Sequence, residues 1–121
     1  MRRPNVAPSY RDLRVWNAAM SLVLEVYKIT ETFPRDERFG LTSQLRRAAV
    51  SVASNIAEGH ARTTRGEYKN SVSVARGSVA EVEVQLFLAK ELGYQQSVGF
   101  ANAFEYCDAI SRMLTNLKHA L

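Results

Sequence analysis

One stretch of the chain repeats apolar and small side chains at alternating spacings of four and three residues without a break. Its members are Tyr68, Val72, Ala75, Val79, Val82, Leu86 and Ala89. This spacing lies on one face of an α-helix, and the stretch covers about six turns. A strand would instead repeat every second residue. So long a seam predicts a fold in which helices pack side by side.

The first two helices are bounded by residues that interrupt helical geometry. Helix one is predicted over residues 11–33, because Pro34 disfavours a helical conformation in the residue before it. Helix two is predicted over residues 41–58. Gly59 is a plausible left-handed stop for it, although the pattern allows the helix to continue to residue 62.

The last two helices have equally clear limits. A capping box formed by Thr64 and Glu67 predicts the start of helix three, and Gly93 predicts its end after Leu92. Helix four is predicted over residues 97–118, where apolar side chains keep the same rhythm. No segment shows strand periodicity.

Short connectors between these helices predict an all-α, up-down-up-down antiparallel four-helix bundle. With 121 residues the chain has the length of one domain, which we place at residues 10–121. Residues 1–9 contain Pro4 and Pro8 without periodicity and are predicted to be a flexible tail.

Helices one and three carry more apolar surface than one buried face requires. Each shows a second stripe, which consists of Trp16, Met20, Val23 and Tyr27 in helix one and of Ala80, Val84, Phe87 and Leu88 in helix three. A wide inward stripe in a thick bundle would account for the excess. Self-association accounts for it better, so we expect a homo-oligomer.

The chain is basic, and its charge is unevenly distributed. The net charge is +4, and 12 of the 16 basic residues are arginine. Residues 1–65 carry 11 Lys and Arg against 6 Asp and Glu, whereas residues 66–121 carry 5 against 6. A basic half suggests a polyanion such as nucleic acid. Solvated or paired arginines are the alternative.

The candidate phosphate-binding residues lie on helix two and just after it. They are Arg46, Arg47, Arg62, Arg65 and Lys69, and Arg11, Arg14, Arg35 and Arg38 are candidates to extend the patch. Phosphate contacts from such a cluster are independent of base sequence and sensitive to salt. No helix-turn-helix or zinc-finger pattern marks an element that reads bases, so recognition through charge and shape is expected.

Several other kinds of site have no sequence signature here. His60 and His119 stand far apart without a metal-ligand cluster, and no glycine-rich phosphate loop follows a strand, so we expect no metal, cofactor or catalytic site. The single Cys107 is expected to be a buried small hydrophobic residue. No apolar run approaches the roughly 18 residues of a membrane span, so a cytoplasmic protein is expected.

Glu58 and Glu81 are the carboxylates predicted to lie inside the bundle. Arg47 and Arg76 stand on the same two helices, so a buried network of ion pairs and hydrogen bonds is the simpler interpretation. The other interpretation is an acid–base site, which would require a solvent-accessible pocket around both carboxylates.

Several motifs resemble one known family. They are Phe33-Pro34 with Glu37-Arg38-Phe39-Gly40-Leu41, then Ser54-Asn55-Ile56-Ala57-Glu58-Gly59, and Ala75-Arg76-Gly77-Ser78 followed by Glu81. Together they resemble the four-helix-bundle proteins encoded in intervening sequences of bacterial 23S ribosomal RNA genes. The similarity covers about residues 9–95, and the fourth helix is less distinctive.

The resemblance implies a homopentamer. No cellular role is established for the family, but distant relatives are basic accessory proteins of diversity-generating retroelements, which bind nucleic acid and associate with a reverse transcriptase. A non-catalytic nucleic-acid-binding assembly is therefore implied, with a protein-interaction scaffold as the alternative. The motif residues implied to form a structural network are Asn55, Glu58, Arg76, Gly77, Ser78 and Glu81, with Gly77 permitting close approach of helices.

Overall fold

The computed structural model describes residues 9–94 and 99–121, and over these ranges it contains four α-helices and no strand. The helices are α1 (Arg14–Thr30), α2 (Leu41–Ala61), α3 (Arg65–Glu91) and α4 (Gly99–Ala120). Short 3-10 turns precede α1 and α2, at Tyr10–Asp12 and Arg35–Glu37. Each helix packs against its neighbours in the sequence, and α4 closes the bundle against α1. The all-helical prediction is confirmed.

The seam predicted on α3 forms the centre of the core. Tyr68 is 2% exposed, and the other six seam residues are fully buried. Opposite them lie the inward faces of the other helices, whose largest fully buried side chains include Leu22, Leu45, Ile56, Phe100 and Ile110. Burying such side chains stabilises a fold by roughly 1.5–3 kcal/mol each before the entropy of ordering is subtracted.

Helix α1 is shorter than the predicted 11–33. It begins at Arg14, after Leu13 in an extended conformation, and it ends at Thr30. The amide of Phe33 bonds the carbonyl of Thr30 in a tight turn, and the hydroxyl of Thr32 bonds the carbonyl of Ile29 at 2.7 Å. Threonine hydroxyls that bond nearby carbonyls compete with helical hydrogen bonds, which explains an end before Pro34.

Helix α2 passes Gly59 and ends at Ala61. Gly59 is buried against α3, where an added Cβ would lie 2.8 Å from the Cβ of Ser71 and 3.2 Å from Cδ1 of Tyr68. The close approach of helices inferred from the sequence for Gly77 therefore occurs at Gly59. Gly77 is exposed, and an added Cβ would meet no described atom within 4 Å.

Both predicted ends of helix three are observed. The hydroxyl of Thr64 accepts a hydrogen bond of 3.1 Å from the amide of Glu67, and the Glu67 carboxylate accepts one of 2.9 Å from the same hydroxyl. Gly93 has a positive φ of 82°, and its amide bonds the carbonyl of Lys90 while the amide of Tyr94 bonds that of Ala89. This pair of bonds is a Schellman motif, and it satisfies the last carbonyls of the helix.

The tail predicted for residues 1–9 and the predicted start of helix four at residue 97 lie outside the described residues, apart from Ser9. Ser9 caps the first 3-10 turn by accepting a hydrogen bond from the amide of Arg11 at 3.2 Å. Among the described residues, no helix combines the length and the apolar character that crossing a membrane requires.

Candidate nucleic-acid interface

Helix α2 separates the predicted basic residues into two groups. Arg46 and Arg47 lie in its second turn, whereas Arg62 follows its last residue. Arg65 and Lys69 lie on the first turns of α3. Fifteen residues of helix between Arg47 and Arg62 correspond to about 22 Å. The structure therefore divides the predicted cluster, and the two ends of α2 must be considered separately.

The group at the end of α2 is partly neutralised. Arg62 forms an ion pair with Glu58 on the preceding turn, and its Nη1 lies 3.9 Å from Oε2 of Glu67. Arg65 and Lys69 are exposed and have no ion pair within the described chain. Because two carboxylates accompany three cations, this end of the bundle presents only a weak positive charge.

The group at the start of α2 lines an open groove of about 530 Å³. The groove lies between the last turn of α1, the connector after it and the first three turns of α2. Its lining residues are Tyr27, Arg38, Phe39, Thr42, Ser43, Arg46, Arg47, Val50 and Ser51. Three of them are arginines and none is a carboxylate. We call this feature the arginine groove.

Arg46 is held in place at the α1 side of the arginine groove. Its Nε donates a hydrogen bond of 2.8 Å to Oγ1 of Thr30, and its guanidinium carbon lies 4.4 Å from the centre of the Tyr27 ring. A guanidinium above an aromatic face gains cation–π attraction. Arg46 therefore supplies a positive charge at a defined position, although part of its hydrogen-bonding capacity is already used.

Arg47 and Arg38 have more free hydrogen-bond donors. Both are exposed, and neither side chain has a hydrogen bond or an ion pair to another residue in ranges 9–94 and 99–121. The Arg38 guanidinium carbon lies 4.8 Å from the centre of the Phe39 ring, which is itself 85% exposed. An arginine with five free donors in a planar fork matches a phosphate group.

The connector that carries Arg38 and Phe39 is fixed by Glu37. Its Oε1 accepts a hydrogen bond of 3.1 Å from the amide of Leu41 at the start of α2, and its Oε2 accepts one of 3.0 Å from the hydroxyl of Tyr94. This second bond, followed by burial and the nearby charges of Glu37 and Asp36, raises the pKa of Tyr94. Both oxygens of the Glu37 carboxylate are thus hydrogen-bonded to residues that do not line the arginine groove.

The sequence predicts Arg46 and Arg47 as members of this site and Arg38 as an extension of it. It does not indicate that Tyr27 and Phe39 also line it. The sequence places Tyr27 in a packing stripe on helix one and Phe39 in the connector between helices one and two. The family motif around Phe39 is the one sequence signal that marks this connector. Tyr27 and Phe39 line the same groove only because α1, the connector and α2 pack together.

Two residues of the implied structural network, Asn55 and Ser78, both bond Ser51 between α2 and α3. The hydroxyls of Ser51 and Ser78 lie 2.8 Å apart, and Nδ2 of Asn55 donates to the Ser51 carbonyl at 2.8 Å and to its hydroxyl at 3.1 Å. The other four members, Glu58, Arg76, Gly77 and Glu81, are exposed. The expectation that Glu58 and Glu81 lie inside the bundle is therefore wrong.

The same two carboxylates do not share a pocket. Glu81 lines a smaller groove of about 380 Å³ with Arg47, Ala48 and Ser51, and Glu58 is not among its lining residues. Glu58 lies ten residues beyond Ala48 on α2, or about 15 Å along the axis. An acid–base pair formed by these two groups is incompatible with that separation.

Cys107 is buried in α4 as expected. Burial, reinforced by the negative charges of Glu83 and Asp108, raises the pKa of its thiol to about 12. Burial and the charge of Asp108 likewise raise the pKa of Glu83. A thiol this weakly acidic is a poor nucleophile at neutral pH. In the part of the chain that the structure describes, no three His, Cys, Asp or Glu residues are grouped as metal ligands.

Comparison with known proteins agrees with the fold. The chain is similar to the crystal structure of a protein of unknown function from the S23 ribosomal protein family of Bacteroides thetaiotaomicron, with a TM-score of 0.78 and 17% sequence identity. The match covers 86% of this chain and 97% of that one. No curated protein matches the sequence.

The structural neighbour shares the four-helix fold, and a family model identifies the family. The model of the 23S rRNA-intervening sequence protein family matches residues 11–116, which is most of the chain. This protein therefore belongs to the 23S rRNA-intervening sequence protein family.

Proposed function

We propose that this protein is a non-catalytic homo-oligomer that binds nucleic acid through charge and shape. The arginine groove is the observation that carries this proposal, because it places three arginines together without a carboxylate among its lining residues. A surface of this kind attracts phosphate groups and releases their counterions, so it binds nucleic acid without reading base sequence.

The individual arginines contribute differently. Arg47 and Arg38 are the proposed phosphate ligands, because they are exposed and without ion pairs in the described chain. Arg46 adds a fixed positive charge beside them. Arg62, Arg65 and Lys69 form a second, weaker contact surface, since Glu58 and Glu67 offset part of their charge.

The test is a binding titration of the purified oligomer with fluorescent RNA and DNA at several salt concentrations. We expect micromolar or tighter binding that weakens steeply as salt rises. Arg47→Glu should weaken binding and lower the slope of log affinity against log salt by about one unit. Arg112→Glu on the exposed surface of α4 is the matched control. Binding that is unchanged by Arg47→Glu would remove the groove from the proposal.

Self-association is proposed from apolar side chains on the outer face of α3. Val84 is 66% exposed and Leu88 is 48% exposed, and they stand one helical turn apart. The second stripe predicted for helix three is thus exposed among the described residues, although the Phe87 ring contacts Phe104. A second copy of the chain would cover it, and the family resemblance implies five copies in total.

The assembly mass tests this second part of the proposal. Val84→Glu places a charge in the proposed contact and should shift the mass toward the monomer. Asn116→Glu on α4 makes a comparable change at another exposed position and should leave the mass unchanged. An assembly that survives Val84→Glu intact would exclude this face of α3 as the contact.

A protein-interaction scaffold is the second candidate function. The exposure of Phe39 favours it, because a large apolar side chain at the surface is also typical of a protein-binding site. An intact oligomer that binds neither RNA nor DNA, yet captures a protein through a Phe39-dependent contact, would support this alternative.

A further inference from the structure

We propose that the arginine groove holds an unpaired nucleotide of a single-stranded nucleic acid, with its base stacked on Phe39 and the adjoining phosphates bound by Arg47 and Arg38 beside the fixed charge of Arg46. This inference rests on the proposed nucleic-acid binding and goes beyond it. Charge alone would bind any phosphate backbone, whereas the aromatic rings add a contact that only an accessible base can make.

Phe39 has the exposure that base stacking requires. Its side chain is 85% exposed, although the guanidinium of Arg38 already lies 4.8 Å from the ring centre. An aromatic ring with one face against an arginine and the rest open to solvent is a platform for a base. The described side chains make no ring–ring contact with Phe39.

Tyr27 also lines the arginine groove, and it supports the assignment of a nucleotide site. It is 41% exposed, and the Arg46 guanidinium lies 4.4 Å from its ring centre. Each aromatic of the groove is thus paired with an arginine. The groove repeats the combination of ring and cation that single-strand-binding proteins use for bases and phosphates.

The remaining lining suits a nucleotide in charge and size. Ser43, Arg47 and Ser51 follow one another at intervals of four residues and therefore lie on one face of α2. The Ser43 hydroxyl also lines the groove, whereas the Ser51 hydroxyl already bonds Ser78 and Asn55, and none of the described lining residues is a carboxylate that would repel a phosphate. The volume of about 530 Å³ is within the range of small-molecule sites, which is roughly 300–1,000 Å³.

The ring contact selects unpaired nucleotides over duplexes. In a duplex both faces of a base are covered by its neighbours, so a ring on the protein surface cannot stack on it without unstacking. A single strand presents the face of every base, and stacking is tolerant of base identity. The expected ligand is therefore a flexible single strand or a loop.

The experiment compares two 12-nucleotide probes with the same number of phosphates, oligo(dT) and an abasic DNA strand of equal length. At one salt concentration, the intact oligomer should bind oligo(dT) at least about fivefold more tightly than the abasic strand. The binding of a 12-base-pair duplex should gain no comparable affinity from the Phe39 ring. Oligo(U) of the same length distinguishes RNA from DNA as the source of the strand.

Variants test whether the tighter binding of oligo(dT) depends on the Phe39 ring. Phe39→Ala should abolish the preference for oligo(dT) while leaving the abasic affinity nearly unchanged, and Phe39→Trp should keep the preference. Leu24→Ala removes a large apolar side chain that is 62% exposed and does not line the groove, so it is the matched control. Arg47→Glu should weaken both probes alike.

Each outcome separates this inference from the proposed function. If neither probe binds, nucleic-acid binding itself is wrong, and this inference falls with it. If both probes bind equally and Phe39→Ala changes neither, the inference is overturned while charge-based binding stands. If Phe39→Ala changes the mass of the assembly, Phe39 belongs to a contact between subunits, and the inference is likewise overturned.

Discussion

Arg46 of α2 and Thr30 of α1 are joined by a hydrogen bond of 2.8 Å from Nε to Oγ1. The Thr30 hydroxyl donates in turn to the carbonyl of Val26 at 2.8 Å, so it links the guanidinium to the last turn of α1. Thr30 is only 3% exposed. The α1 side of the arginine groove is therefore organised by a buried hydroxyl.

Replacing Thr30 with valine keeps the shape of the side chain and removes its hydroxyl. We expect Thr30→Val to lower the free energy of unfolding by about 1 kcal/mol, because the hydrogen bond to Arg46 is lost while the guanidinium still reaches water. Chemical denaturation at a fixed protein concentration measures this change.

Thr115→Val is the control for that measurement. The Thr115 hydroxyl bonds only the carbonyl of Ser111 in its own helix, at 2.9 Å. Its loss removes no contact between helices, so the effect should be smaller. Equal losses of stability in the two variants would contradict a specific role for the bond between Arg46 and Thr30.

Gly59→Ala should destabilise the bundle by up to about 2 kcal/mol. The new methyl group would lie 2.8 Å from the Cβ of Ser71, so α2 and α3 must move apart. Overpacking of this kind costs about 1–3 kcal/mol, and the better helix propensity of alanine offsets about 1 kcal/mol of it. Thermal unfolding measures the net change, and an increase in the melting temperature would show that the helices separate without strain.

Gly77→Ala should have the opposite effect. The added methyl group meets no described atom within 4 Å, and the position is in the interior of α3. The expected gain is about 0.5–1 kcal/mol from helix propensity alone. Mass measurement on the same sample checks the assembly, because a smaller assembly would mean that a second subunit approaches Gly77 closely.

The Cys107 thiol should make stability depend on pH above neutrality. Its pKa is about 12 in the folded protein against 9.0 for the ordinary thiol, so the unfolded chain loses its proton first as pH rises. The contribution is complete below pH 9 and is lost between about pH 9 and 12. Each pH unit in that window removes about 1 kcal/mol.

Comparison with Cys107→Ala isolates this effect from the tyrosines and lysines that titrate in the same range. The variant should be less stable than the original protein at pH 7, because it leaves a cavity in the core. The difference between the two unfolding free energies should shrink from pH 9 to pH 10. A constant difference would show that the thiol ionises equally well in the folded state.

The four helices were predictable because their signal is local. The seam from Tyr68 to Ala89 repeats at the helical period, and every member is buried in the structure. The start of helix three at Thr64 and its end at Gly93 were equally predictable, since each residue satisfies backbone groups within one turn of its own position. The early end of α1 was missed, because threonine hydroxyls compete with the helix there while Pro34 is the more conspicuous signal.

The positions of Glu58 and Glu81 were mistaken for a different reason. Glu58 lies seven residues, or about two helical turns, after Ser51 on α2, so the two belong to one polar stripe. Such a stripe fits either a buried network or an outer face. Its partner in the structure is Arg62 on the next turn, at the surface. A sequence pattern defines the faces of a helix, but it leaves open which polar face points outward.

Gly59 and Gly77 illustrate the same limit. Both glycines lie within helices, and the sequence does not show which of them a neighbouring helix approaches closely. Only the packing of α3 against α2 places Ser71 over Gly59 and leaves Gly77 open to solvent. The arginine groove has the same origin, since Tyr27, Phe39 and Arg47 line one groove only when α1, the connector and α2 are packed together. Helical periodicity is a property of each segment alone, whereas these contacts depend on how whole helices are rotated and connected.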